Sequence, residues 1–332
     1  MDLIDKFCWH PFNFAEIHIN GSVYVCCPRY NNNFSIGNIF TVERDPIQEI
    51  WNSNSAQDFR RGILEGTFAC CSGSLCPKIT AGTLTDRPAK LPNFVSEIMA
   101  TGPSWIKFCH DNSCNLTCHS CRNEIIRSEQ QQLDRIIGKL IPFFKDAEIL
   151  DLSGSGDPFA SKHYREIITS SLGITKAKFV FNTNGVLFDG KAWQDLKLQD
   201  RVRNVAVSID AATEETYGIV RRGGDFARLI SNLEFLMSMR KVNQISSLTI
   251  SFVVQSKNFR EMPAFIEMGK RLGVDRIYFS LIRDWGVIAD FKEDQVWSEQ
   301  HPRFSEFRSV LNHEAFKDAI VNLGDVSTIK LV

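Results

Sequence analysis

Cysteine is absent from the last two-thirds of this 332-residue sequence, since all ten cysteines lie at or before Cys121. Ten cysteines are more than packing requires, and their uneven placement indicates a local chemical task. Strong charge of either sign is also absent: the net charge of -1 provides no overall attraction to nucleic acid or to an anionic membrane surface. Hydrophobic residues at 43% and charged residues at 23% are ordinary for a globular chain with a sizeable core.

Two further absences concern location. The N-terminal MDLIDK lacks the basic stretch and long apolar run of a secretory signal. The sequence also has no run of about 18 consecutive apolar residues, so we expect no membrane span. We therefore expect a cytoplasmic protein in a reducing compartment, where clustered cysteines bind metal or perform chemistry more often than they form disulfides.

Apolar strand-like runs alternate with amphipathic helical stretches from residue 105 onward. This alternation predicts βα units with a parallel sheet, closed into a partial (β/α)6 TIM-like barrel of the α/β class. The working face of such a barrel lies at the C-terminal ends of its strands. The predicted strands span 105–110, 148–153, 178–183, 204–210, 248–254 and 276–282, and helical periodicity is clearest over 132–144, 226–239 and 262–273.

The first hundred residues have a different character. A hairpin is predicted over 16–27, where Asn20-Gly21 is a strong turn dipeptide, and a helix over 47–64 with Trp51 in the core. This part resembles a small cysteine-rich domain with little core of its own. The predicted division is a domain at 1–87, a linker at 88–103, the barrel at 104–286 and a helical tail at 287–332.

Cys114, Cys118 and Cys121 form a C-x3-C-x2-C triplet directly after the first predicted barrel strand. Thiolates are soft ligands that suit iron–sulfur clusters and zinc. Three ligands leave one iron of a four-iron cluster open to a small molecule. The alternative is zinc completed by His110, His119 or Cys109, but structural zinc sites usually contain paired cysteines.

The stretch CNLTCHSCR, residues 114–122, resembles the radical S-adenosylmethionine (radical SAM) superfamily. The resemblance implies a [4Fe-4S] cluster whose open iron binds the amino and carboxylate groups of S-adenosylmethionine. Reductive cleavage of the cofactor would give a 5′-deoxyadenosyl radical that takes a hydrogen atom from substrate. An external one-electron reductant such as flavodoxin or ferredoxin would be a partner.

Further motifs follow the predicted strands. Gly154, Ser155, Gly156 and Asp157 occupy the place of a Gly-Gly-Glu-Pro-like motif that binds the methionine amino group; a capped strand-to-helix turn is the alternative. By the same resemblance, Ser208 and Asp210 are candidates for the ribose hydroxyls and Arg221 for the methionine carboxylate. Asn184 is a further candidate, and it and Asn182 are equally compatible with a turn.

The N-terminal cysteines fit C-x12-G-x4-C from Cys8 through Gly21 to Cys26, and they resemble the auxiliary-cluster domain called SPASM. In most of that family this domain follows the barrel, whereas here it precedes it. The resemblance implies one auxiliary [4Fe-4S] cluster for electron transfer, with zinc as the alternative. The expected ligands are Cys8, Cys26, Cys71 and Cys76, with Cys27 and Cys70 as alternates.

The predicted function is a radical SAM oxidoreductase or epimerase that takes hydrogen from a small-molecule or carbohydrate substrate. One alternative is a radical SAM enzyme that crosslinks or epimerises a peptide. A second is a non-catalytic zinc or iron–sulfur scaffold or sensor, which would need no strand-end motifs. Cys109 is either a small buried hydrophobic residue or a catalytic thiol that returns a hydrogen atom to a substrate radical.

Overall fold

The computed structural model describes residues 3–152 and 154–329, without the side chains of residues 130–133 and 135. Its secondary structure consists of short N-terminal strands followed by longer strands that alternate with helices. The strands are β1 (Lys6–Phe7), β2 (Phe14–His18), β3 (Ser22–Tyr24), β4 (Gly37–Asn38), β5 (Thr85–Asp86), β6 (Trp105–Cys109), β7 (Ile149–Leu152), β8 (Lys178–Thr183), β9 (Val202–Ser208), β10 (Ser247–Val254), β11 (Arg276–Leu281) and β12 (Val321–Asn322).

The helices include several short N-terminal turns and longer helices between the later strands. They are α1 (His10–Asn13), α2 (Asn54–Leu64), α3 (Pro77–Thr80), α4 (Gln130–Phe144), α5 (Lys162–Ser171), α6 (Gly190–Asp195), α7 (Glu214–Val220), α8 (Phe226–Lys241), α9 (Met262–Leu272) and α10 (Phe304–Leu311). Among the described residues, none of these helices is long and apolar enough to cross a membrane.

All six predicted strands are present, as β6 to β11, with ends that differ from the prediction by at most two residues. Ser153, the last residue of the second predicted strand, lies outside the described residues. The predicted helix over 47–64 is interrupted: a π-helical segment (Ile47–Trp51) precedes α2, whose N-cap Ser53 accepts a hydrogen bond from the Ala56 amide. Serine favours such a cap, which is why α2 begins there.

The chain divides into two compact units. The first comprises Met1–Asn112, Ser128–Gly156 and Lys162–Phe179, and the second comprises Ser113–Arg127, Asp157–Ser161 and Val180–Val332. In the first unit the strand order is β4-β3-β2-β6-β7, and β2, β6 and β7 run parallel. In the second unit β9, β10, β11 and β12 run parallel in that order. The large parallel sheet of the α/β prediction is therefore observed, while its closure into a barrel stays a prediction.

The predicted hairpin is observed as β2 and β3, which pair antiparallel with Ile17 opposite Val23. Gly21 has a φ of 79°, a backbone conformation that glycine adopts without strain. The hairpin is not isolated, because β2 also pairs in parallel with β6. By its contacts, segment 1–87 is thus part of a larger compact unit, and the three predicted boundaries between the four segments stay predictions.

One face of the sheet in the second unit is apolar. On β10 the side chains of Leu248, Ile250, Phe252 and Val254 are fully buried, and the residues between them are half-buried. This alternation follows from the two-residue period of a strand. The half-buried face carries hydroxyl groups, and it leads directly to the polar residues at the strand ends.

The tail departs from the helical prediction for 287–332. Helix α10 is present, but β12 follows it and pairs in parallel with β11. A two-residue strand is too short to produce a detectable pattern in the sequence.

Candidate functional site

The loop of residues 113–127, called here the cluster loop, lies in the second unit and carries Cys114, Cys118 and Cys121. Two backbone hydrogen bonds hold it. The Thr117 amide donates to the carbonyl of Arg222 at 3.0 Å, and the His119 amide donates to the carbonyl of Val220 at 3.1 Å. The C-terminal end of α7 and the residues after it therefore fix the backbone between the cysteines.

Each of the three thiols in the cluster loop has a nitrogen donor beside it. Nδ2 of Asn184 lies 3.8 Å from Sγ of Cys114, and Nη1 of Arg221 lies 3.5 Å from Sγ of Cys118. Nε and Nη2 of Arg122 both lie 3.4 Å from Sγ of Cys121.

Such donors stabilise thiolates, which are the form that binds metal. Their effect matters because burial raises the pKa of Cys114 to about 11. Two guanidinium groups and one amide thus provide the positive surroundings that cluster ligands need.

Two buried donors near the cluster loop have no hydrogen-bond partner in the described part of the chain. They are the Tyr217 hydroxyl and Nε of Arg221. A buried donor without an acceptor is costly, so these atoms fit a bound group that presents acceptors, such as cluster sulfides or a carboxylate. The residues present therefore fit a cluster with a small-molecule ligand.

The spacing of the thiols also bears on the zinc alternative. A single zinc ion requires ligand atoms at about 2.0–2.3 Å from it, and hence close to one another. Within residues 3–152 and 154–329, only Glu16, His18 and Cys109 form a group compact enough for one ion. The three thiols of the cluster loop do not form such a compact group, which does not favour a single zinc ion there.

Asp210 and Arg221, predicted to bind the ribose and the methionine carboxylate, lie at the cluster loop but pair with each other. Oδ2 of Asp210 lies 2.8 Å from Nη2 of Arg221, and Oδ1 accepts a hydrogen bond from the Val253 amide at 2.8 Å. Burial raises the pKa of Asp210, and Arg221 opposes that rise. The structure thus gives Arg221 a role that the sequence did not reveal, as a bridge between a buried carboxylate and Cys118.

Asp157 is fully buried and is saturated with hydrogen bonds. Oδ2 accepts from the Thr183 hydroxyl at 2.7 Å and the Asn184 amide at 2.8 Å. Oδ1 accepts from the amides of Phe159 at 3.0 Å and Ala160 at 3.3 Å. Burial raises its pKa, and these four donors counteract that rise. The geometry favours the capping alternative over a direct contact with a methionine ammonium group.

Gly154 and Ser155 follow β7 in the first unit and lie beside the C-terminal end of β6. A Cβ atom on Gly154 would lie 2.3 Å from the carbonyl oxygen of Phe108 and 2.6 Å from Sγ of Cys109. Only glycine fits there, which gives this residue a packing reason independent of any ligand. The hydroxyl of Ser155 donates to the Cys109 carbonyl at 3.3 Å. The cofactor-binding roles of Gly154, Ser155 and Gly156 stay predictions.

Ser208 lies on the half-buried face of the second unit's sheet. Its hydroxyl is 3.2 Å from Oδ1 of Asn182 and 3.2 Å from the hydroxyl of Ser251. This row of polar groups crosses β8, β9 and β10, and it can exchange hydrogen bonds with the hydroxyl groups of a ligand. The arrangement is compatible with the predicted ribose contact of Ser208.

His119 was considered in the sequence only as a zinc ligand. In the structure its Nε2 lies 2.6 Å from Oδ2 of Asp294. The other oxygen of that carboxylate, Oδ1, lies 2.8 Å from Nζ of Lys257. Asp294 is 1% exposed, so this contact anchors the cluster loop to a buried charge. Asp294 belongs to the predicted tail, where no sequence motif indicated a role.

The predicted auxiliary ligands Cys8, Cys26, Cys71 and Cys76 converge within the first unit. Burial raises the pKa of Cys26 to about 12, with further contributions from Cys8 and Cys76. The pKa of Cys71 is likewise raised by burial and by the nearby Cys8, Cys26 and Cys76. The pKa of Cys70 is instead raised by burial and by Asp58. The electrostatic influence of Cys8, Cys26 and Cys76 on Cys71, and not on Cys70, therefore favours Cys71 as a ligand.

Cys109, the candidate catalytic thiol, is 7% exposed and lies beside a carboxylate. Its Sγ is 3.7 Å from Oε1 of Glu16. Burial and Glu16 raise its pKa, so the thiol is protonated at neutral pH. Lys107 shares this face, because side chains two residues apart lie on the same side of a strand.

Comparison with known proteins agrees with the cysteine chemistry. Residues 8–77 match the SPASM family, described as an iron–sulfur cluster-binding domain. The chain is 26% identical over 215 residues to mycofactocin maturase MftC of Mycobacterium ulcerans. This match covers 64% of the chain and 55% of the maturase. It is also 27% identical over 178 residues to a probable GTP 3′,8-cyclase of Saccharolobus islandicus. That match covers 52% of the chain and 55% of the cyclase. The chain thus spans about half the length of these curated relatives.

Among solved structures, Streptococcus suis SuiB is similar over 85% of this chain and 55% of that one, with 12% identity and a TM-score of 0.48. A TM-score below 0.5 is too low to transfer a substrate or a mechanism. The family match and the curated relatives support radical SAM chemistry, with S-adenosylmethionine and [4Fe-4S] clusters as the cofactors.

Proposed function

We propose that this chain is a radical SAM enzyme whose cluster loop holds a [4Fe-4S] cluster through Cys114, Cys118 and Cys121. The observation that carries the proposal is the set of nitrogen donors from Asn184, Arg221 and Arg122, one beside each thiol. A scaffold protein has no need to surround three thiols in this way. When bound, the cluster and S-adenosylmethionine supply reductive cleavage and hydrogen-atom abstraction.

The chain's own residues bind and orient the cluster and its small-molecule ligand. Arg221 and the Tyr217 hydroxyl offer buried donors to acceptor atoms of the bound group. Ser208, in the row of polar groups, offers a hydroxyl to the ribose. Asp157 acts indirectly, because it holds the backbone of Asn184, whose side chain contacts Cys114.

An auxiliary [4Fe-4S] cluster held by Cys8, Cys26, Cys71 and Cys76 is the second part of the proposal. The support is their convergence in the first unit together with the SPASM match over residues 8–77. With four protein thiolates this cluster has no open iron, so it would transfer electrons and not bind substrate.

For the substrate, the relatives favour the peptide-modifying alternative over the small-molecule or carbohydrate prediction. The first relative named above is a maturase, and 64% of this chain aligns with it. We therefore propose that the enzyme oxidises, crosslinks or epimerises a peptide. Fold alone does not determine substrate, so this part rests on the relatives.

Anaerobic reconstitution with iron and sulfide, followed by reduction and addition of S-adenosylmethionine, tests the proposal. We expect about eight irons per chain, in two four-iron clusters, and formation of 5′-deoxyadenosine. Cys118→Ala should abolish that product, whereas Cys70→Ser serves as the matched control and should retain it. Formation of the product by Cys118→Ala would contradict the enzyme proposal.

The substrate class needs a separate assay. The rate of 5′-deoxyadenosine formation should rise when a pool of short synthetic peptides is added to the reconstituted enzyme. A pool of monosaccharides at equal concentration is the control. Stimulation by the sugars alone would overturn the peptide proposal and leave the radical SAM assignment intact.

A further inference from the structure

A polar face lies on the first unit's sheet, at the C-terminal ends of two parallel strands. Glu16 and His18 alternate along β2, and Lys107 and Cys109 alternate along β6. In the observed register Glu16 lies opposite Lys107, and His18 lies opposite Cys109. All four side chains therefore lie on one face of the sheet, where parallel strands commonly bind ligands.

Three of these side chains present different metal-binding atoms to one point. Oε1 of Glu16 lies 2.7 Å from Nε2 of His18 and 3.7 Å from Sγ of Cys109. All three ligand atoms lie within 4.8 Å of one another. Zinc binds sulfur at about 2.3 Å and nitrogen or oxygen at about 2.0 Å, so tetrahedral neighbours are roughly 3.3–3.5 Å apart. The cysteine–glutamate separation is already near that value, and the histidine–glutamate separation has to widen by roughly 0.6 Å.

The second oxygen of Glu16 is held separately. Nζ of Lys107 lies 3.9 Å from Oε2, which is not the oxygen that contacts the histidine and the cysteine. A carboxylate oriented by one oxygen can bind a metal through the other, as is common for metal-binding carboxylates. Lys107 therefore acts as an orienting residue and leaves Oε1 in the ligand group.

We infer that Glu16, His18 and Cys109 form a third metal site, which binds one zinc-type divalent cation and leaves a fourth position open. An open position on such an ion accepts an oxygen or nitrogen atom of a bound ligand. This site is independent of both clusters, since none of its ligands belongs to either cysteine set. It excludes the hydrogen-donor role of Cys109, because a thiolate bound to metal carries no S–H bond.

Equilibrium dialysis of the reconstituted, chelator-washed enzyme against zinc tests the inference. We expect one zinc per chain in addition to the cluster irons, as counted by elemental analysis. Glu16→Gln and Cys109→Ser should each lose that zinc while the iron count stays unchanged. Cys27→Ser and Cys70→Ser are matched controls on cysteines outside the site, and they should retain it.

Zinc-edge X-ray absorption of the same sample separates this site from misloaded cluster cysteines. The expected first shell contains one sulfur and a majority of nitrogen and oxygen atoms. A shell of sulfur alone, or equal zinc retention in Cys109→Ser, would overturn the inference. Loss of zinc in Cys109→Ser together with loss of iron would also overturn it, because the two metals would then share ligands.

Discussion

Nη1 of Arg221 lies 3.5 Å from Sγ of Cys118, while Nη2 of the same guanidinium lies 2.8 Å from Oδ2 of Asp210. A positive charge is therefore placed beside a cluster ligand and is itself held by a buried carboxylate. This relationship gives the two residues opposite effects on the cluster.

Arg221→Met should lower the reduction potential of the cluster held by the cluster loop. The more negative, reduced form loses a charge-assisted hydrogen bond worth about 1.5 kcal/mol, which corresponds to roughly 60 mV for one electron. A redox titration followed by electron paramagnetic resonance measures the change. Arg221→Lys retains the charge and should show a smaller shift. An unchanged potential in Arg221→Met would contradict the proposed contact.

Asp210→Asn should shift the same potential upward, because the charge of Arg221 is then uncompensated. Asp210 has a φ of 63°, which asparagine tolerates well, so this substitution changes charge with little added backbone strain. Asp210→Ala adds strain and should unfold at a lower temperature than Asp210→Asn. A fall in potential in Asp210→Asn would show that the ion pair does not act on the cluster.

Removal of one auxiliary ligand should remove one cluster only. Cys71→Ser is expected to reduce the iron content from about eight to about four per chain, because the remaining thiolates hold a four-iron cluster poorly. Cys70→Ser changes the adjacent thiol and should retain all the iron. Colorimetric iron and sulfide analysis after anaerobic reconstitution provides the measurement. Equal loss in both variants would contradict the ligand set.

Acidification should destabilise the first unit through a buried histidine pair. Nε2 of His110 lies 2.7 Å from Nδ1 of His163, and burial lowers their pKa values to about 3 and about 4. Both rings stay neutral in the folded chain, whereas the unfolded chain binds protons below pH 6.5. Stability is thus lost as the pH falls from 6.5 toward 4, by up to about 1.4 kcal/mol for each ring at pH 5.5.

Thermal unfolding at pH 7.0 and 5.5, followed by circular dichroism, measures this loss. His163→Asn keeps a polar group near His110 but does not titrate in this range. Its unfolding temperature should therefore depend on pH about half as strongly as that of the parent chain. If the unfolding temperatures of His163→Asn and of the parent chain depend equally on pH, groups other than this histidine pair cause the loss of stability.

Arg60 should be essential for the fold around α2. Its guanidinium is fully buried and donates to the carbonyl oxygens of Pro11 at 2.9 Å, Trp51 at 2.8 Å and Glu97 at 2.8 Å. Burial lowers the pKa of Arg60 to about 10, which leaves it charged at neutral pH. Arg60→Met removes the donor from three buried carbonyl oxygens. It should therefore lower the free energy of unfolding by about 3 kcal/mol or more.

Arg61 provides the matched control for Arg60. It is the next residue on α2, but its side chain is 43% exposed and pairs with Asp58 and Glu97 near the surface. Arg61→Met should therefore lower the free energy of unfolding much less than Arg60→Met does. Urea titration of both variants gives the comparison. Similar losses in the two variants would show that burial does not make Arg60 special.

The strands from residue 105 onward were predictable because a two-residue apolar period survives in sequence even when strand ends shift. The pairing of β2 with β6 was not predictable, because no local pattern in residues 14–18 distinguishes an isolated hairpin from one that joins a larger sheet. Spacing alone likewise indicated the thiols of the cluster loop.

The partners of those thiols depend on contacts between residues far apart in sequence. Arg122 was part of the recognised stretch, yet its contact with Cys121 depends on a rotamer that spacing does not determine. Asp294 lies 175 positions from His119, and only the folded chain brings them together. The hydrogen bonds that Asp157 accepts from Thr183 and from the Asn184, Phe159 and Ala160 amides were likewise not readable from its motif position, and its predicted role at the cofactor stays a prediction.

The parallel pairing of β2 with β6 has a consequence for protein engineering. A truncated chain beginning at Trp105 would lose the neighbour that covers one side of β6 from residue 105 to 109. That strand would then become an exposed edge, with unpaired amides and carbonyls available to another molecule. Deleting the cysteine-rich segment is therefore expected to cause aggregation as well as loss of its iron. Replacing its cysteines with serine is the safer way to study the remaining chain.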